Sequence, residues 1–188
     1  MDRIQKVSSY LLIIFNILLV GLPVFEVVQW LFIDWGPIQK IVADGMLLKP
    51  LETPEGVVNL GTRQWDDLSK TIGLMAATLG LLPLFLSMFV LKSIFRNYQK
   101  GEIFTSCNAR SYKRLGWLFF LDALLAKPLS DMLMVLAVTF SNPPGHRYIT
   151  LGFGTPNLEA LFCGVLVIVI SWVMLEASKL QDEQKFTI

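Results

Sequence analysis

Four long apolar stretches, separated by polar segments, restrict the fold of this 188-residue chain more than any other feature. They cover about residues 10–33, 71–91, 115–140 and 158–175. A helix needs about 20 apolar residues to cross a hydrocarbon core that is roughly 30 Å thick. Because lipid offers no partner to backbone N–H and C=O groups, a spanning segment must pair them internally, as a helix does. The sequence therefore predicts an all-α membrane protein, a bundle of four transmembrane helices.

The composition also indicates a membrane environment. Hydrophobic residues make up 54% of the chain and charged residues 16%, whereas roughly a quarter of the residues in soluble domains are charged. A chain of this length cannot bury so many apolar side chains in its own core, and a soluble fold would expose large apolar patches. We therefore expect a single membrane domain over residues 1–188.

The lysine and arginine residues outside the spans indicate which side of the membrane each segment faces. Ten lie in the N-terminal tail, in residues 92–114 and in residues 176–188, whereas five lie in residues 34–70 and 141–157. Cytoplasmic segments carry the excess of basic residues in membrane proteins. Both termini are therefore predicted to be cytoplasmic, together with a hairpin at 92–114 and a tail at 176–188.

The segment 34–70 is then an outer loop. Its prolines and glycines favour irregular structure, with one short helix near Pro37 to Asp44. His146, in the second outer segment, is expected to be a solvated loop residue.

Charged residues inside the apolar stretches form a candidate site, which we call the charge cluster: Glu26, Asp122, Lys127, Asp131 and Glu159. A charge at the bilayer centre costs about 2.5 to 3.5 kcal/mol on insertion scales, so these groups are expected to pair inside the bundle. Lys127 and Asp131 are four residues apart and lie on one helix face, with Asp122 rotated away. Glu26 and Asp131 match in depth, and Glu159 is expected nearby in the outer half.

Two interpretations of the charge cluster remain open. The favoured one is an internal ion pair that fixes the helix register, because the acids are few and no polar residues line a pore. The alternative is a small polar cavity for a cation, a proton or a lipid head group, in a small transporter or an ion- or lipid-binding protein. An enzyme acting on lipid head groups is the less favoured alternative, since no nucleophile stands beside a base. We expect no enzymatic activity, no cofactor and no metal site.

The second span carries small residues four positions apart. Gly73 precedes Ala77, and Ala76 precedes Gly80. Such pairs let another helix approach closely. Packing within the chain is favoured over a dimer interface, because a four-span protein must first pack its own helices.

The hairpin contains local signals for two helices joined by a turn. Gly101 can take the positive φ that ends many helices, and Thr105 or Ser106 can cap the next helix. Ile103 and Phe104 form an apolar pair between them. The candidate interaction residues of this segment are Lys100, Gly101, Glu102, Ile103, Phe104, Thr105, Arg110, Lys113 and Arg114.

The basic residues of the hairpin have two interpretations. The favoured one is that they only hold the segment inside the cell. The alternative is that they attract anionic lipid, at about 1 kcal/mol per residue near the surface. Without an aromatic stacking platform, direct nucleic-acid binding is not expected.

A family resemblance rests on two segments, YQKGEIFTSCNARSYKRLGW and the terminal LQDEQKFTI. Both resemble the bacterial four-span membrane family known as domain of unknown function 2975, over about Trp65 to Ile188. Its tail pattern is a charged EEQ, an apolar residue, Thr and an aliphatic residue. The matching residues here are Asp182, Glu183, Gln184, Phe186, Thr187 and Ile188.

The resemblance implies four helices, cytoplasmic termini and a location in the bacterial cytoplasmic (inner) membrane. Some members are encoded beside a small helix-turn-helix regulator, and no activity or cofactor is assigned to the family. Lys127 and Asp131 lie outside the family pattern. The resemblance leaves the oligomeric state open.

These observations predict a non-enzymatic interaction or regulatory protein. Its partners would be membrane lipid and a soluble cytoplasmic protein, such as a small helix-turn-helix regulator, contacted through the hairpin and Asp182 to Ile188. The alternative for the tail is that it frays.

Overall fold

The computed structural model describes residues 3–143, 145–152 and 154–186, together with the side chains of these residues up to 184. Of the described residues 76% are helical, which confirms the predicted helical character. In chain order the elements are α1 (Arg3–Leu31), α2 (Gly36–Ala43), β1 (Leu51–Thr53), β2 (Gly56–Val58), a 3-10 helix (Leu60–Thr62), α3 (Asp67–Gln99), α4 (Ser106–Leu121), a π-helical turn (Asp122–Ala126), α5 (Lys127–Thr139) and α6 (Thr155–Phe186).

Three helices in the described part of the chain are long and apolar enough to cross a membrane. They are α1, α3 and the segment Thr155–Gln184 of α6. α3 and α6 extend beyond the predicted apolar stretches at both ends, and α1 extends at its N-terminal end but ends at Leu31. A helix can continue into polar sequence where its backbone bonds are already formed.

The third apolar stretch is helical too, but it is divided. Here α4, the π-helical turn and α5 follow one another directly and contain 16, 5 and 13 residues. Pro128 has no N–H to give to the carbonyl four residues earlier, and its ring crowds that position. The π-helical turn lies just before Pro128, and it is wider than an α-helical turn, so it leaves room for the proline ring.

The chain forms two compact units. The first unit comprises Met1–Val20, Leu82–Leu125 and Gly154–Ile188. Within it α4 and α6 pack closely at two glycines, because a Cβ atom on Gly116 would lie 3.0 Å from the backbone oxygen of Gly164. Hydrogen bonds reinforce this packing: Ser171 Oγ donates to the carbonyl of Ala109 at 2.8 Å.

The second unit comprises Gly21–Leu81 and Ala126–Phe153. Its core contains an edge-to-face pair of Trp30 and Trp65, whose ring centroids are 5.3 Å apart. Trp30 lies against Gly73, where any Cβ atom would collide with the indole ring. The core also contains Ile33, Val42, Leu60, Ala137 and Val138.

Small residues of α3 are used for packing inside this second unit. Ser130 Oγ donates to the carbonyl of Ala76 at 2.7 Å. A Cβ atom on Gly80 would lie 2.8 Å from Ser130 Oγ. The prediction that the small residues serve packing within the chain is confirmed for Gly73, Ala76 and Gly80.

The predicted outer loop is more ordered than its composition indicates. The short helix expected near Pro37 to Asp44 is confirmed as α2, but the antiparallel hairpin of β1 and β2 was not predicted. Asn59 Nδ2 donates to the carbonyl of Ala43 at 2.8 Å. Gly61 lies so close to the backbone of Ala43 that no side chain fits there. Tertiary contacts of this kind cannot be read from the content of glycine and proline.

Candidate functional site

The hairpin begins where α3 ends, at a glycine in the left-handed region. Gly101 has a φ of 82°, and its N–H donates to the carbonyl of Tyr98 at 3.0 Å. The N–H of Glu102 donates to the carbonyl of Asn97, also at 3.0 Å. This pair of bonds satisfies two of the last carbonyls of the helix, as in a Schellman motif. The prediction that Gly101 stops the helix is confirmed.

The next helix begins at Thr105. Its hydroxyl accepts a hydrogen bond from the backbone N–H of Asn108 at 3.2 Å, which satisfies one of the unpaired donors at the start of α4. Of the two predicted caps, the structure therefore uses Thr105 rather than Ser106.

A buried amide joins the two helix ends. The side chain of Asn108 has no exposed surface. Its Nδ2 donates to the carbonyls of Glu102 and Ile103 at 2.7 and 2.8 Å, and its Oδ1 accepts from Asn97 Nδ2 at 2.7 Å. Both ends of the amide are satisfied, and a fully satisfied buried polar network rigidifies the segment that contains it.

Asn108 was not among the predicted site residues. A sequence signal for it exists, because asparagine near a helix start commonly bonds to nearby backbone groups. That signal does not show that Asn97, which lies on α3, is within hydrogen-bond distance of Asn108.

Further polar contacts tie the hairpin to its surroundings in the first unit. The hydroxyl groups of Tyr98 and Tyr112 are 2.9 Å apart. Gln99 Nε2 donates to Ser9 Oγ of α1 at 3.0 Å. The hairpin is therefore held by side chains of α1, α3 and α4.

The outer surface of the hairpin presents basic and aromatic side chains. Ile103 and Thr105 are half-buried, whereas Phe104 is 46% exposed. The remaining predicted interaction residues are all exposed: Lys100, Gly101, Glu102, Arg110, Lys113 and Arg114. The hairpin thus exposes several cations and one phenylalanine, a combination that suits contact with an acidic protein surface.

The end of α6 lies beside the turn of the hairpin. A polar cavity of about 240 Å³ is lined by Gly101–Ser106 of the turn and by Gln181 and Asp182 of α6. Glu183 is exposed. The predicted tail is helical through Phe186, and whether it frays stays a prediction. The side chain of Phe186 and the residues Thr187 and Ile188 lie outside the described part of the chain.

The members of the charge cluster are divided between the two units. In the second unit Glu26 is half-buried and accepts a hydrogen bond from Trp30 Nε1 at 3.2 Å. Lys127 and Asp131 both have exposed side chains, and Lys127 is close enough to Asp131 for the two charges to attract each other. That these two side chains pair inside the bundle stays a prediction.

The other two members of the cluster lie in the first unit. Asp122 is half-buried in the π-helical turn and Glu159 is exposed near the start of α6. Whether any member of the cluster binds an ion stays a prediction.

A polar network in the second unit was not predicted. Ser141 Oγ donates to Asp66 Oδ1 at 2.5 Å, and this hydrogen bond, together with one from Ser69, lowers the pKa of Asp66 to about 2. Its exposed carboxylate is therefore charged over the physiological pH range.

A second contact of this kind involves the predicted loop residue His146. Its Nδ1 lies 2.5 Å from Glu55 Oε1, and the hydroxyl of Tyr148 donates to the same oxygen at 2.9 Å. The hydrogen bond with His146, followed by that with Tyr148, lowers the pKa of Glu55. His146 is exposed, as predicted, but it ties its segment to the turn between β1 and β2.

Comparison with known proteins identifies a family but no individual relative. No curated protein and no solved structure matches the chain. Residues 49–188 match the family described as "Protein of unknown function (DUF2975)". These residues include the hairpin and α6, the parts on which the sequence resemblance rests. The chain belongs to the DUF2975 family.

Proposed function

We propose that this protein is a non-enzymatic membrane protein that binds a soluble cytoplasmic protein through its hairpin and the end of α6. It lies in a bacterial cytoplasmic membrane with both termini inside. The helical run from α4 to α5 acts as the fourth span. The excess of lysine and arginine in the hairpin and in both tails supports this orientation.

The observation that carries the proposal is the buried Asn108 network beneath an exposed surface. A docking surface binds more tightly when it is already in its bound conformation, because less conformational entropy is lost on association. Here the turn is fixed by Gly101, by the Thr105 cap and by the amide of Asn108. A loop that served only to connect two spans would not need such a network.

The chemistry of the surface identifies the class of partner. Aromatic and arginine side chains dominate the energetics of many protein interfaces, and the hairpin exposes both in Phe104 and Arg110. We therefore expect a soluble protein that presents carboxylates around an apolar contact. The family resemblance makes a small helix-turn-helix regulator the first partner to test.

Site-specific photocrosslinking in cells tests the proposal. With Phe104 replaced by a photoreactive phenylalanine analogue, we expect a crosslink to one soluble protein. The matched control carries the analogue at Phe162, which is 64% exposed on α6 in a predicted span and should crosslink only to lipid or membrane proteins.

Charge reversal then tests specificity. Arg110→Glu should remove the Phe104 crosslink and weaken binding of the purified partner at least tenfold, which is about 1.4 kcal/mol. Lys40→Glu, an exposed change in α2, should leave both unchanged. A Phe104 crosslink that persists in the Arg110→Glu variant, or that is shared with the Phe162 control, contradicts the proposal.

A further inference from the structure

An apolar groove of about 890 Å³ lies between α3 and the run from α4 into the π-helical turn. Its walls include the aromatic rings of Phe89, Trp117 and Phe120. Arg114, at one end, contributes its only charged side chain and is exposed. The groove is thus lined by apolar side chains along its length, with the single cation Arg114 at one end.

The length of the groove matches one leaflet of a bilayer. Its lining on the second wall runs from Arg114 to Leu125, and eleven residues of helix rise about 16 Å. Half of a hydrocarbon core that is roughly 30 Å thick is about 15 Å. An acyl chain that starts at the level of Arg114 would therefore end near the bilayer centre, beside the π-helical turn.

The lining favours a flexible chain over a second helix. Helices that associate closely in membranes meet at small residues, and in this part of the chain Gly116 and Gly164 are already used between α4 and α6. The groove presents bulky side chains instead, such as Phe89, Trp117 and Leu121. An acyl chain can adapt to such a surface, whereas a rigid helix would be held away from it.

The cation defines the head group. Arginine binds phosphate in a bidentate geometry, and Trp117 lies one turn from Arg114 on the same helix face. Tryptophan is enriched at the level of lipid head groups, where its ring is apolar and its N–H can reach a polar partner. We propose that this groove is a binding site for one anionic phospholipid, with an acyl chain along the groove and the phosphate on Arg114.

This proposal does not depend on a soluble partner. Arg114 is the one residue that the hairpin and the groove share, whereas the turn Gly101–Ser106 and Arg110 do not line the groove. Leu121 lies outside the hairpin, so a change there tests the groove without touching the surface for the soluble partner. The proposal does require that α3 and α4 lie in a membrane.

Native mass spectrometry of the purified, delipidated full chain tests the site. We expect phosphatidylglycerol to bind as one tight equivalent and phosphatidylcholine to bind at least fivefold more weakly. Arg114→Gln should weaken phosphatidylglycerol binding at least fivefold. The matched control is Lys113→Gln, a neighbouring exposed cation outside the groove, which should change the affinity less than twofold.

A second variant keeps the test valid if charge removal affects folding. Leu121→Trp narrows the apolar part of the groove and should weaken both lipids, with the helix content checked by circular dichroism. Inorganic phosphate at millimolar concentration should not displace phosphatidylglycerol, since it lacks the acyl chain. Equal losses in the Arg114→Gln and Lys113→Gln variants, equal binding of the two lipids, or displacement by phosphate would overturn the proposal.

Discussion

The hairpin of the first unit and the core of the second unit are stabilised in different ways. The hairpin turn depends on one buried amide, Asn108, that bonds to backbone and side-chain groups of two helices. The second unit depends on large side chains such as Trp30 and Trp65, with carboxylates bonded to hydroxyl groups at its surface. The buried amide fixes the conformation of the short hairpin turn. The buried aromatic side chains instead supply most of the stability of the second unit, through the apolar area that they bury. A segment that presents a surface to a partner needs the former more than the latter.

The largest effect is expected from the aromatic core. Trp30→Ala removes a side chain that is 1% exposed, and such truncations cost about 3 to 5 kcal/mol because a cavity remains. The matched control is Trp35→Ala in the same unit, where the side chain is 60% exposed and the expected cost is under about 1 kcal/mol. Thermal unfolding in one detergent measures both. Equal midpoints would remove the distinction between core and surface.

A smaller but more local effect is expected at the hairpin. Asn108→Ala leaves the carbonyls of Glu102 and Ile103 and the amide of Asn97 without their partner, at a cost of about 2 to 3 kcal/mol. Hydrogen exchange should rise in residues 97–112 and remain unchanged in the second unit. As a control, Asn142→Ala removes a more exposed side chain and should not affect the hairpin. Faster exchange spread over the whole chain would show that the network is not a local device.

A substitution at Gly101, just after α3 ends, is expected to destabilise the hairpin less than Asn108→Ala. Gly101→Ala places a Cβ atom on a residue with a φ of 82°, which costs roughly 1 to 2 kcal/mol. Gly21→Ala is the control, since a Cβ atom at Gly21 meets no atom within 4 Å and alanine favours a helix. We expect a lower unfolding midpoint only in the first variant. A hairpin that tolerates alanine at 101 would indicate that the Schellman bonds contribute little.

The surface network of the second unit should respond to pH. The pKa of Asp66 in the folded chain is about 2, below its usual 3.8, because Ser141 and Ser69 donate to the carboxylate. A lowered folded pKa stabilises the fold above the unfolded pKa, and this contribution is lost as the pH falls from about 4 towards 2. Ser141→Ala should reduce the loss of stability over that interval, and Asp66→Asn should reduce it at least as much. An unchanged pH profile in both variants would contradict this assignment.

The smallest structural effect is expected at Lys127. Because its side chain is exposed, Lys127→Met removes no packed contact. Because Lys127 lies in the proposed fourth span, the variant also removes a charge that is costly there, so it should not lower the free energy of unfolding. If the transporter alternative holds, the same variant loses ion-dependent stability or flux in proteoliposomes.

The enzyme alternative has its own test at Asp131. Turnover of lipid extracts that vanishes in Asp131→Asn would support an enzyme. Parent-like behaviour in both variants leaves the interaction protein as the proposed function.

Local signals in the sequence predicted much of the candidate site. Gly101 and Thr105 act through bonds to residues within five positions of themselves, so residue type and spacing were enough to assign them. The partners of Asn108 include Asn97, on a different helix. The groove at Arg114 needs α3 as its second wall. Neither feature has a signature within one segment.

The sequence by itself determined the helices, their approximate bounds and the composition that suits a membrane, because hydrophobicity and backbone pairing act along a single segment. Only the tertiary structure decided which polar groups meet. It joined Asn108 to Asn97 and tied His146 to Glu55. The physical reason is that a desolvated polar group is stabilised by whichever partner the packing brings within hydrogen-bond distance, and that distance depends on the packing of whole helices.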